Sequence, residues 1–100
     1  MSRTLIRPAK PEDAETIIAL VQALAIYEKE PLSSVKITPA DVRRDGFGAE
    51  RRFEALIAEL DGEPVGLALF FHNYSTWEGR AGLFVEDLFV LERARGHGLG

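Results

Sequence analysis

Apolar and polar residues along the chain fall into two periodicities, one helical and one extended. Thr4-Leu5-Ile6-Arg7 predicts a short strand, closed by Pro8 and Pro11. Pro11 suits the first turn of a helix, with Glu12 and Asp13 near its positive end. Ala14, Ile17, Ile18, Val21, Leu24 and Ala25 then recur at three- and four-residue steps, an amphipathic stripe that predicts a helix to about Tyr27. Residues 28–36 carry acid, proline and serine and read as a loop. Thr38 is placed to cap a second helix with Pro39 in its first turn, and Gly46 and Gly48 are expected to end it soon after Arg44.

The second half changes period. Residues 52–60 predict a strand, Asp61-Gly62 a two-residue hairpin turn, and residues 64–71 the returning strand. Residues 72–80 read as a polar and aromatic loop, and 83–90 as a further strand inside the sheet. The predicted class is therefore α/β (α+β), in the order β-α-α-β-β-β with a mainly antiparallel sheet. No internal repeat or linker divides the chain, so residues 1–100 form one unit. Its last strand is strongly apolar and is followed only by a glycine turn. An edge of that strand is expected to lack a partner, and the unit to be partial, completed by more chain, another copy or a complementing fragment.

Composition narrows the function. With 12 basic and 16 acidic residues the formal charge is −4, which argues against nucleic-acid and anionic-membrane surfaces and suits a cationic ligand. The absence of cysteine excludes a disulfide framework, a thiolate nucleophile and cysteine-based zinc sites. There is no signal peptide and no apolar run near the roughly 20 residues needed to cross a bilayer, so a cytoplasmic protein is expected.

The remaining chemistry lies in a few places. Arg95-Gly96-His97-Gly98-Leu99-Gly100 follows an apolar strand, and its three glycines allow backbone N–H groups to cradle phosphate; a plain glycine-rich terminus is the alternative. Glu86 and Asp87 are neighbours in a strand, so their side chains face opposite ways unless a bulge intervenes. A carboxylate within so apolar a run is costly to bury, and one of the two is expected to line a wet cleft. Tyr27 and Glu28 end the first helix, with Glu30 nearby. Such a pair serves either packing and solvation or the holding of a cation, and Trp77 either a packing anchor or the wall of a substrate. His72 and His97 are not assigned catalytic work.

These residues together resemble the N-terminal portion of a GNAT-superfamily N-acetyltransferase, ending at the start of the acyl-CoA-binding helix. Arg95, Gly98 and Gly100 fit the family's Arg/Gln-x-x-Gly-x-Gly/Ala phosphate loop. The chain is more closely similar to the spermidine/spermine (diamine) N-acetyltransferases through Ile6-Arg7-Pro8-Ala9, Leu24-Ala25 with Tyr27-Glu28, Asp45-Gly46-Phe47-Gly48, Tyr74 with Trp77, and Glu86-Asp87-Leu88-Phe89-Val90. The resemblance implies that Leu88, Phe89 and Val90 meet the acetyl and pantetheine portion of acetyl-CoA. Arg95, Gly96, His97, Gly98, Leu99 and Gly100 would hold its pyrophosphate. It further implies Glu86 as catalytic proton acceptor and substrate contact, with Tyr27, Glu28 and Trp77 also binding substrate.

The implied reaction is acetyl transfer to a primary amine of a small molecule, either a diamine or polyamine or an amino-acid-like amine, without metal and in a homodimer. Ser75-Thr76 stands where polyamine enzymes tend to carry an acidic residue and proline, which favours amines other than spermidine and spermine. The family's tyrosine acid belongs to the second half of the domain, and neither Tyr27 nor Tyr74 matches it. By itself the fragment is expected to be inactive. A non-catalytic fragment that binds through its open strand edge is the alternative, and a generic nucleotide-binding module a weaker one.

Overall fold

Capping chemistry starts both helices. The computed structural model describes residues 3–95, those at 74 and 75 through their backbone alone. Strand β1 (Thr4–Pro8) leads into a 3-10 turn at Pro11–Asp13, which runs directly into helix α1 (Ala14–Tyr27). Asp13 is the hinge of this join. It accepts from the Lys10 backbone N–H at 2.8 Å and from both terminal nitrogens of Arg7 at 2.8 and 3.0 Å, while Arg7 Nε reaches Glu59 at 2.9 Å. Helix α2 (Pro39–Phe47) opens on a reciprocal box: Thr38 Oγ1 accepts from Asp41 N–H, and the Asp41 carboxylate accepts from Thr38 N–H.

The second helix ends at Phe47 with Gly48 as its cap, as expected of Gly48 but not of Gly46. Gly46 lies inside it, buried against Phe53, and a Cβ there would sit 2.9 Å from the Phe53 ring. Glycine here allows close packing and does not break the helix.

Strands β2 (Glu54–Leu60), β3 (Glu63–Ser75) and β4 (Arg80–Val90) complete one antiparallel sheet in the order β1-β2-β3-β4. Asp61 and Gly62, at φ 52° and 84°, form the predicted hairpin turn. The supposed loop at 72–80 is mostly strand: β3 continues to Ser75 and β4 begins at Arg80, so only a short connection remains. Among the described residues β4 is an outer strand and not an interior one, because it pairs with β3 alone.

Both helices cover one face of the sheet. Ala14, Ile17 and Leu20 of α1 and Val42 of α2 meet Ala55, Ile57 and Leu67 in a single core. Complete burial of a side chain the size of Ile17 or Ile57 contributes about 1.5–3 kcal/mol. The other face carries Ile6, Leu56, Ala58, Ala68, Leu88 and Val90 along a shallow groove of about 190 Å³.

Candidate functional site at the outer strand

A bulge in β4 marks the site. Leu69 faces Asp87 but Phe70 faces Val85, so Glu86 is one residue too many for the ladder. Because partners across a ladder share a face, Asp87 joins Leu69 on the helix-covered side, with Phe89 opposite Leu67 two residues on. Leu88, opposite Ala68, and Val90, opposite Gly66, stand on the groove side. Glu86 thus sits at a bulge, the condition under which Glu86 and Asp87 need not face opposite ways.

The end of α1 comes to meet this strand. Lys29 adopts φ 60°, its N–H donates to Ile26 O at 3.0 Å, and Glu30 N–H donates to Ala25 O at 2.8 Å; these bonds stop the helix and fix Tyr27 and Glu28 at its terminus. The Tyr27 and Phe89 rings lie 5.9 Å apart between centroids. Asp87 sits half-buried beside them, and its carboxyl is pushed above the usual carboxylate range, first by desolvation and then by the charges of Glu86 and Glu28. Three carboxylates and two rings thus make an acidic, aromatic surface suited to a cation. Asp87 shares the face of Phe89 by ordinary alternation, and the bulge displaces Glu86 alone.

Arg95 lies against the two rings. Its guanidinium carbon lies 4.6 Å from the Tyr27 ring centroid and 5.7 Å from that of Phe89, and its Nε donates to the Val90 carbonyl at 3.0 Å. Tyr27, Glu28, Glu86, Phe89, Val90 and Arg95 are accordingly gathered at one end of the sheet. Leu88 adjoins them, 64% exposed on the groove side. Trp77 is not among them. It stands 97% exposed in the β3–β4 connection, and the strand rise sets the start of β4 about 20 Å from Asp87. Gly96, His97, Gly98, Leu99 and Gly100 lie outside the described residues.

The chemistry of an acyl-CoA suits these residues. The outward backbone groups of β4 have no strand partner among the described residues and are able to pair with amides of an extended arm, and Arg95 places a cation at the same end. Among the described residues no cluster of histidine and carboxylate side chains is placed to hold a metal ion, and no helix is long and apolar enough to cross a membrane.

A two-layer α+β domain with a bulged outer strand beside an acidic, aromatic surface is an architecture for holding an extended ligand along a strand edge. The chain belongs to the acetyltransferase (GNAT) family, whose model matches residues 13–100. Over its whole length it is 40% identical to a thialysine N-epsilon-acetyltransferase from Bos taurus, of which it spans 62%. It is 35% identical to the spermidine/spermine N(1)-acetyltransferase-like protein 1 of Homo sapiens, with 95% of this chain and 14% of that protein covered. In fold it is similar to a predicted acetyltransferase from Clostridium acetobutylicum solved with acetyl-CoA, with a TM-score of 0.74, 15% identity, and 97% and 66% of the two chains covered.

Proposed function

We propose that the protein transfers acetyl from acetyl-CoA to a primary amine of a small molecule, and that an amino-acid-like amine such as thialysine is its acceptor class. The observation that carries this reading is the end of α1 meeting β4, where the Tyr27 and Phe89 rings lie 5.9 Å apart and the charges of Glu28 and Glu86 act on half-buried Asp87, beside a strand edge with no partner among the described residues. A cationic amine is drawn to that surface by charge, and the edge is where an acyl-CoA arm would lie. Relatives named for thialysine and for spermidine/spermine support the amine class.

Acetyl-CoA supplies the activated acyl group. The chain's own residues do the rest. Tyr27 and Glu28 hold the ammonium and orient it, and Glu86, directly or through water, accepts the proton that the nitrogen must lose before it has a lone pair. Asp87, with its raised proton affinity, stands ready as a second acceptor. Backbone N–H groups at 88–90 polarise the carbonyl, and Arg95 with the glycine-rich residues 96–100 holds the phosphates. The nitrogen forms its bond to the acyl carbon, the carbon–sulfur bond breaks, and the proton the nitrogen then sheds passes to the leaving thiolate.

The test incubates the full-length protein with acetyl-CoA and a panel of thialysine, lysine, short diamines and spermidine, reading products by mass spectrometry. An acetylated primary amine is expected, with thialysine favoured over spermidine. Acetyl-CoA binding without transfer to any amine of the panel would overturn the reading.

A second reading rests on the apolar outer strand, where Leu83, Phe84 and Val85 are exposed. It holds that the 100-residue chain by itself self-associates through β4. Sedimentation of that chain as a monomer at high concentration would refute it.

A further inference from the structure

Arg95 presents its terminal nitrogens from a fixed seat. Its guanidinium carbon lies 4.6 Å from the Tyr27 ring centroid and 5.7 Å from that of Phe89, and its Nε donates to the Val90 carbonyl at 3.0 Å. That carbonyl is on the outer edge of β4. Leu91 N–H donates inward to Val65 O at 2.7 Å, so the peptide groups of the residue before it point away from β3. Ring contact and hydrogen bond together fix where the guanidinium sits. Among the described residues neither terminal nitrogen has a hydrogen bond or ion pair, and both stay open to a bidentate oxyanion.

We infer that Tyr27 is a positioning residue for acyl-CoA phosphate: its ring holds Arg95 in the rotamer that meets the phosphate, a duty beyond its part in binding the amine. The inference rests on the acyl-CoA reading above. A long arginine side chain that is free in solvent must be ordered before it grips a ligand. Apparent affinity falls in proportion to the population of the competent rotamer. A cation–ring contact at an exposed site raises that population by a factor of about two to five. Phe89 alone is the poorer seat, since its centroid is near the limit of about 6 Å for such contacts. The stack persists in the complex, because phosphate needs only the terminal nitrogens.

Calorimetric titration of CoA into the full-length protein is expected to give about two- to fivefold weaker affinity for Tyr27→Leu than for wild type, and wild-type affinity for Tyr27→Phe, which keeps the ring face. A double-mutant cycle separates this from a merely structural role: with Arg95→Gln already in place, Tyr27→Leu should weaken CoA binding no further. Tyr27 is 61% exposed, so the fold tolerates the change, which circular dichroism checks. In wild type, nuclear Overhauser contacts between the Arg95 side chain and the Tyr27 ring should persist at saturation with CoA. Wild-type affinity in Tyr27→Leu, an equal loss from Tyr27→Leu in the Arg95→Gln background, or disappearance of those contacts at saturation would overturn the inference and leave the acyl-CoA reading standing. Failure of wild type to bind CoA would overturn both.

Discussion

Gly66→Ala tests how the outer strand is held in place. Gly66 pairs with Val90 across the β3–β4 ladder, and a Cβ on it would meet Ala58 Cβ at 3.1 Å, the Phe89 carbonyl oxygen at 3.1 Å and Val90 Cγ2 at 3.3 Å. Val90 Cγ2 can give by a small rotation of its side chain, whereas Ala58 Cβ is fixed to the β2 backbone. The Phe89 carbonyl likewise cannot give without moving β4, because it belongs to the strand's backbone. Overpacking of this kind costs about 1–3 kcal/mol. The smaller conformational freedom of alanine in the unfolded chain returns about 0.4–1 kcal/mol, leaving a net loss of about 0.5–2 kcal/mol by urea unfolding. Since the displaced atoms are the edge itself, CoA affinity should fall as well. Gly62→Ala is the control: its Cβ meets nothing within 4 Å, so its cost comes only from the φ of +84°, and it should destabilise while sparing CoA binding. A Gly66→Ala protein with unchanged stability and unchanged CoA affinity would refute the reasoning.

Three other outcomes follow from the same geometry. Asp87 binds a proton more readily folded than unfolded, so its ionisation subtracts stability as pH rises from its unfolded value of 3.8 through the raised folded one; Asp87→Asn should stabilise at pH 7, do nothing at pH 3, and slow catalysis. Asp13 is the opposite case, held below its ordinary range mainly by its hydrogen bonds from Arg7, so its contribution is present above pH 3.8 and lost as pH falls through the lower folded value. Arg7→Gln should move acid unfolding to higher pH and cost about 1 kcal/mol at neutrality, a figure reduced for solvent screening. Lys29→Gly should stabilise by about 0.5–1 kcal/mol in denaturant unfolding, because glycine adopts the φ of 60° without the side-chain penalty.

What the sequence made legible follows from the range of the interactions concerned. Local signals were read correctly: the α1 stripe ending at Tyr27, the Thr38 cap and the Asp61-Gly62 turn each depend on residues within a few positions of one another. Gly46 was misread because its reason is Phe53, beyond the helix, and no local pattern reveals a neighbour across the fold. The long β3–β4 arm escaped notice for a related reason. His72, Asn73 and Ser75 are poor strand formers held in register by their partners in β4. At the candidate site, residue types pointed to Tyr27, Glu28 and Glu86. The bulge at Glu86 is a property of pairing between strands, and the contact of Arg95 with Tyr27 depends on two elements meeting across the fold.

The central claim is that the outer strand from Leu88 to Val90 receives the acyl-CoA. Amide chemical-shift mapping of the full-length protein during CoA titration tests it directly, with β1 at the far edge of the sheet as internal reference. The account predicts saturable shifts at Leu88, Phe89, Val90 and Arg95, with Leu5 and Ile6 unmoved. Shifts confined to other surfaces, with 88–90 silent at saturation, would contradict it.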